Sequence, residues 1–381
     1  MDHTTIVGAR YQWGNIHYRN QNWDTGSFAT DTTGLDLFAD ESAFGVQDFT
    51  VNDYYLTVYG YHNWQLLESL SLQLGLSYDQ LRFPGDASTS PFSAEEKNNS
   101  QFSPKAGFIW NPLTNTTFRA AYTRSLSALA NGQSLRIEPT AVAGFNQTFR
   151  SIAPDAVAGN TSGSTFDTFD LSLEQQFDTG TYLSVGAEML YSKLNRLQGA
   201  FINNESPVDV YYTFPGVLNE QVKYREQSLN FTIDQLLGKQ WSAGARYRLS
   251  LAKYDWGLTD VAPDHYVGYQ GSLVVPQVRS HERSLLHTVN LHANWNHPSG
   301  LFSVLEGNWY HQSNSGFGGT EPGDDFWQCN AFAGYRFWQR RAELSVGLLN
   351  VFDQNYKLEP LNLYNEMARD RTFMARLKIS F

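Results

Sequence analysis

The sequence predicts an all-β protein, an antiparallel up-and-down transmembrane β-barrel of about 14 strands occupying residues 1–381 as one outer-membrane domain. Three observations predict it. Apolar and polar residues alternate with a period of two from end to end. Short and long connections alternate strictly, and large rings stand beside the short ones at Trp64, Trp110, Phe177, Trp241, Trp295 and Phe337.

The segments follow in order. Residues 4–19 run away from the short-turn side into a long polar stretch, 20–52. Segments 53–65 and 70–84 flank the short "QLLES", and the second sets Leu70, Leu72, Leu74, Leu76 and Tyr78 against Ser71, Gln73, Gly75, Ser77 and Asp79. After 85–100, segments 101–111 and 116–126 flank "NPLTN"; after 127–162, segments 164–177 and 181–200 flank "DTG". After 202–221, segments 222–236 and 240–256 flank "LLGKQ", with Leu229, Phe231 and Ile233 on one face of the first. Trp241, Ala243, Ala245, Tyr247, Leu249 and Leu251 share one face of the second. After 257–282, segments 283–296 and 301–312 flank "NHPSG", and His287, Val289, Leu291, Ala293 and Trp295 share a face. After 313–325, segments 326–338 and 341–358 flank "WQRR". After 359–370 the last segment, 371–381, returns to the short-turn side.

Soluble sandwiches share the alternation, so the connections and the rings decide. Tight turns at one end and long loops at the other are the outer-membrane pattern. Amphipathic rings repeated at one depth are favoured at the headgroup level and form an interfacial girdle. The last strand, "RTFMARLKISF", puts Phe373, Ala375, Leu377, Ile379 and Phe381 on one face. In a closed barrel that strand has no free edge because it pairs with the first, its apolar face toward lipid.

Composition agrees. Aromatic residues reach 15% and charged residues only 17%, too few for the polar stripes of helices. A net charge of −11 without a basic run argues against nucleic acid. One cysteine, Cys329, excludes a disulfide framework. No apolar window reaches the roughly 18 residues of a membrane helix. The start, "MDHTTIVGARYQW", shows no signal peptide, plug or soluble domain.

No catalytic constellation assembles, and no cofactor or metal site is expected. His287 and His292 are five residues apart on one strand, so they point to opposite faces. "EPGDD", with Glu321, Asp324 and Asp325, reads as a solvated loop. "GFGG" at 316–319 lacks the strand-to-helix context of a phosphate cradle. The inner wall should carry Asp79, Lys105, Arg119, Asp170, Glu174, Glu188, Asp234, Arg246, Arg248, His292, Asn294, Glu306, Asn308, Arg336, Glu343, Arg376 and Lys378. Trp23, Phe145, Phe149, Tyr211, Tyr212, Tyr266 and Tyr269 are loop residues that could face a ligand mouth.

Three stretches carry a resemblance. "LLNVFDQNY", Leu348 to Tyr356, followed by Arg371, Thr372 and Phe373, resembles the Asn-Leu-Phe-Asp-x-x-Tyr signature and terminal strand of TonB-dependent receptors. "SPKAGFIWNPLTNTTFRAAYTRSL" resembles that family's strand–turn–strand pair, with Pro104, Lys105, Gly107 and Arg119 to Tyr122 in order, and Tyr54 to Phe83 resembles the preceding hairpin. Such barrels have about 22 strands and an N-terminal plug headed by a box that meets the energising protein. The resemblance therefore implies the last 14 strands of a longer receptor-like protein. It also implies that Phe373, Leu377, Ile379 and Phe381 form the signal read by the outer-membrane assembly machinery.

The implied function is outer-membrane transport of a bulky solute: a siderophore complex, cobalamin or an oligosaccharide. The implied partners are outer-membrane lipid, that small-molecule ligand, and a TonB-type energising protein reached through a segment absent from this chain. A self-contained passive or substrate-specific porin, a barrel anchor or export pore for a different N-terminal domain, and a soluble all-β binding protein are the alternatives.

Overall fold

The computed structural model describes residues 2–22, 45–86, 92–127, 137–147, 163–205, 211–261, 267–269, 272–274, 278–316, 323–356 and 370–380. Its fourteen long strands are β1 (His3–Asn22), β2 (Gly45–Leu67), β3 (Leu70–Asp86), β4 (Ser93–Leu113), β5 (Thr116–Leu126), β8 (Thr165–Gln176), β9 (Thr181–Glu205), β10 (Tyr211–Leu237), β11 (Trp241–Leu258), β14 (Arg279–Asn296), β15 (Leu301–Ser315), β16 (Asp325–Phe337), β17 (Ala342–Leu349) and β18 (Thr372–Ile379). Each pairs antiparallel with the next, giving one 14-stranded meander. Two small hairpins stand outside it: β6 (Ala141–Val142) with β7 (Phe145–Asn146), and β12 (Val267–Tyr269) with β13 (Ser272–Val274).

The period of two fixes the faces. Leu74 and Leu76 on β3, Leu171 on β8 and Leu229 on β10 are 45–55% exposed on the outer face. On the other face, one residue along, Ser77, Asp79, Ser103, Lys105, Thr123, Thr168 and Asp170 are buried. A soluble sandwich would bury the leucines; this sheet leaves them bare and covers its polar face. That inversion is the signature of a wall between lipid and a polar interior.

Three expectations about extent are corrected. The hairpin of β9 and β10 continues to the pair Glu205↔Tyr211, well into the stretch read as a loop at 202–221, because ladder hydrogen bonds need no apolar face. At about 3.3 Å per residue the 27-residue β10 exceeds any bilayer core, so it rises beyond the membrane as a ribbon. β17 stops at Leu349, not at 358, because Asn350 and Asp353 adopt φ of 50° and 57° and turn the chain out of the sheet.

The third concerns closure. Among the described residues β1 pairs only with β2 and β18 only with β17, so the sheet is open and these two strands are its edges. Alternation specifies which side chains face which way; it does not specify curvature or shear, which decide closure.

Candidate functional site

Cross-strand register gathers the inner wall into rows. One runs Lys105, Thr123, Thr168, Leu190, Glu226; the next runs Ala121, Asp170, Glu188, Ser228, Ser250. All seventeen wall residues expected from the sequence fall on this face. His292 meets Asp234 at 2.9 Å there, whereas His287 lies on the outer face beside Tyr247.

The wall is neither bare nor uniform. Residues 137–147, expected within the loop 127–162, instead fold back against the inner face of β2 to β5. The hairpin of β6 and β7 turns through Ala143 (φ 49°) and Gly144 (φ 89°), the two positive φ values of a two-residue turn. Val142 and Ala143 pack with Tyr59, Tyr61 and Ala121 in a buried cluster. Gly107 makes room: a Cβ there would stand 2.8 Å from that of Ala143 and 2.9 Å from Cγ1 of Val142.

Polar contacts fix the segment. Lys105 Nζ donates to Glu138 Oε1 and Ser77 Oγ at 2.8 and 2.9 Å. Tyr61 Oη donates to the same carboxylate at 2.8 Å and accepts from Gln147 Nε2 at 2.9 Å. The Ala143 amide donates to Gln73 Oε1 at 2.7 Å, and Tyr59 Oη to the Ile137 carbonyl at 3.3 Å. An open recess of about 370 Å³, bordered by Asn63, Ser71, Gln73, Ile109 and Ala143, remains beside it.

Farther round, the wall turns acidic. Asp170 and Glu188 are direct cross-strand partners, and Glu226 lies close by. Arg248 reaches Glu226 at 3.2 Å and Glu188 at 3.9 Å. Near the long-loop end Glu220 is 2% exposed and accepts from Arg196 and Trp256. Buried Asp79 accepts from hydroxyls, Tyr55 at 2.5 Å and Thr57 at 2.9 Å. Such a surface presents carboxylate acceptors to the interior, several of them already engaged by Arg, Trp, Tyr and Thr donors.

The remaining expected residues are placed as follows. Trp64, Trp110, Phe177, Trp241, Trp295 and Phe337 all stand on the outer face beside short turns; Trp241 and Trp295 are register partners with rings 6.0 Å apart. Phe373, Leu377 and Ile379 line the outer face of β18, and Phe381 lies outside the described residues. Phe145 packs against the inward segment's cluster. Trp23, Phe149, Tyr266 and Glu321 lie outside the described residues, as do the side chains of Tyr211, Tyr212 and Tyr269. Asp325, expected in a loop, begins β16 and accepts from Trp309 at 2.8 Å and His311 at 3.0 Å.

Sequence reasoning missed Glu138, Gln147, Val142 and Tyr61. Two cues were available: "AVAGFN" has the Gly of a two-residue hairpin, and Gly107 interrupts a wall of larger side chains.

A model of the TonB dependent receptor-like β-barrel matches residues 1–351. Solved structures share the fold. The copper transporter OprC is 16% identical with a TM-score of 0.54, over 100% of this chain and 56% of its own. The siderophore receptor PiuA from Acinetobacter baumannii is 16% identical with a TM-score of 0.52, over 98% of this chain and 52% of its own. The ferric-catecholate import receptor Fiu from E. coli K12 is 13% identical with a TM-score of 0.52, over 100% and 52%. This chain thus spans about half the length of these structures. No curated protein matches it in sequence.

Proposed function

From the premise that this chain belongs to the TonB-dependent receptor-like β-barrel family of the outer membrane, we propose that it forms the inner wall of an energised uptake receptor for a bulky, donor-rich solute. Metal–chelator complexes are the favoured class, because the similar structures are described as siderophore receptors and a copper transporter. That family comprises receptors and transporters rather than enzymes.

The observation that carries the reading is the segment 137–147 held against the wall by the buried Lys105–Glu138 pair. Breaking a buried ion pair by removing one partner costs about 3–5 kcal/mol. A segment so held moves aside rarely by thermal motion. Energy delivered from the inner membrane through a coupling partner would shift it, uncovering the inner face of β2 to β5 beside the recess. In this reading the outer-face tryptophans and phenylalanines form the periplasmic girdle, and Phe373, Leu377, Ile379 and Phe381 serve assembly.

Uptake of a radiolabelled ferric catecholate by cells expressing the full-length protein tests this. Uptake should require the protein and stop on adding a protonophore. Uptake that persists with the protonophore, together with steady ohmic conductance in planar bilayers, overturns it in favour of a porin.

A further inference from the structure

Five of the 27 Lys and Arg residues of this acidic protein converge on one outward-facing patch at the long-loop end of the wall: Lys193, Lys223, Arg225, Lys253 and Arg283. They border an open recess of about 440 Å³. The register sets like charges directly opposite one another: Lys193 faces Lys223, Arg225 faces Lys253, and Lys253 faces Arg283. Like charges so placed repel across the strands.

With five cations against two carboxylates, the protein neutralises them only in part. Two carboxylates reach the recess: Asp167 is engaged by Arg124 at 3.0 Å, while Asp255, the register partner of Lys223, meets His281 at 2.7 Å. Among the described residues none of the five cations forms an ion pair. Arg225 instead lies over the ring of Tyr191, 5.0 Å from its centroid.

Depth identifies the occupant. The row Arg225, Lys253, Arg283 lies twelve positions from the row Leu237, Trp241, Trp295 at the short turns (225 to 237, 241 to 253, 283 to 295). At about 3.4 Å per residue and a tilt of about 40°, twelve positions rise about 31 Å, just beyond an apolar band about 25 Å tall. Leu229, Phe231 and Ile233 fill that band below the patch on β10. The cations therefore stand at the headgroup level of the outer leaflet, facing lipid rather than the lumen.

We propose that this outer-face patch is a binding site for a phosphate-bearing lipid headgroup of the outer leaflet, whose anionic oxygens bridge the like-charged cross-strand pairs while its acyl chains lie on the apolar band. Arg supplies bidentate contacts to phosphate and the lysines point charges. The site is separate from the solute path, and it rests on the outer-membrane placement of the wall.

The test uses the full-length protein, folded in vesicles of phosphatidylethanolamine with or without a diphosphorylated glycolipid, then released for native mass spectrometry. Retained glycolipid adducts are expected, falling at least tenfold in the triple variant Arg225→Gln/Lys253→Gln/Arg283→Gln. A control removing three cations at the short turns, Lys239→Gln/Arg340→Gln/Arg341→Gln, should keep them. Protease protection in the same vesicles reports insertion independently. Normal insertion with equal adducts in the triple variant and the parent overturns the site, as does displacement of the glycolipid by millimolar inorganic phosphate.

Discussion

Lys105 on β4 and Glu138 on the inward segment meet at 2.8 Å with side-chain exposures of 1% and 2%. Thirty-three residues apart, they tie the chain beyond β5 back to the middle of the wall. Glu138→Ala leaves a buried ammonium without its carboxylate partner and should weaken the attachment by about 3–5 kcal/mol. Limited proteolysis of the folded protein should then cut within 137–147. Lys105→Met/Glu138→Leu removes both charges and should keep the segment protected. Equal protection in Glu138→Ala and the parent would show that the pair does not hold it.

Gly107 offers a test from the other side of the same contact. In Gly107→Ala the new methyl meets Ala143 and Val142, along with the carbonyl oxygen of Ala120 at 3.0 Å. Overpacking of this kind costs about 1–3 kcal/mol. Adding Ala143→Gly removes the opposing methyl at a position whose positive φ suits glycine, and should recover most of the loss. Urea unfolding in detergent micelles measures both, and additive losses in the double variant would deny the contact.

Most of the wall was legible because it obeys one rule repeated fourteen times: each strand must show lipid one face and the interior the other. Leu70 to Tyr78 shows the two faces plainly, and the connections and rings say that the apolar one meets lipid. Strand ends were less legible, since Glu205↔Tyr211 continues a ladder that hydrophobic pattern does not mark. The inward segment was the least legible. Glu138 reads as one more polar loop residue until Lys105, Tyr61 and Gln147 are brought to it, and nothing local in sequence records that distant meeting.

The end of β17 shows what a motif can hide. Asn350 is fully buried, its side chain accepting from the Gln354 amide at 2.9 Å and donating to the Gln354 carbonyl at 2.9 Å. Its own amide donates to Asn330 at 3.0 Å, while Asp353 accepts from the Arg371 amide at 2.9 Å and so holds the start of β18. The Asn and Asp of "NVFDQNY" thus form a turn that positions the last strand. Asn350→Ala loses the side-chain bonds and strains a positive φ, for about 2–4 kcal/mol. Asn350→Gly relieves only the strain and should fall between Asn350→Ala and the parent in urea unfolding; equal midpoints would refute the account.

Outside the membrane, Asp260 after β11 accepts from the Asn219 amide at 2.7 Å and from its side chain at 2.8 Å. These donors hold its pKa below the usual carboxylate value. The tie is present above the ordinary carboxylate range and is lost as pH falls through the lowered pKa. Hydrogen exchange at the Asn219 amide should therefore lose protection in strong acid but keep it at pH 5. In Asp260→Asn that pH dependence should disappear; its persistence would assign it to another group.

Trp241 and Trp295, paired across β11 and β14, give the girdle a direct test. Tilted at 33° with centroids 6.0 Å apart, the two rings should couple by about 0.5–1.5 kcal/mol in a double-mutant cycle of alanine variants. Coupling alone does not place them in a membrane, so depth must be read separately. An amphipathic ring at the headgroup level is quenched strongly by a label near the headgroup and weakly by one at the acyl-chain end. In a variant retaining only these two of the ten tryptophans, lipids brominated near the headgroup should quench more than lipids brominated near the chain terminus. A variant whose one tryptophan is introduced by Leu305→Trp, four positions from the short turn at Leu301 on the outer face of β15, should show the opposite order. At about 3.4 Å per residue and 40° of tilt position 305 lies about 10 Å above Leu301, near the middle of an apolar band about 25 Å tall. The same order for both variants would mean that rings at the short turns mark no interface.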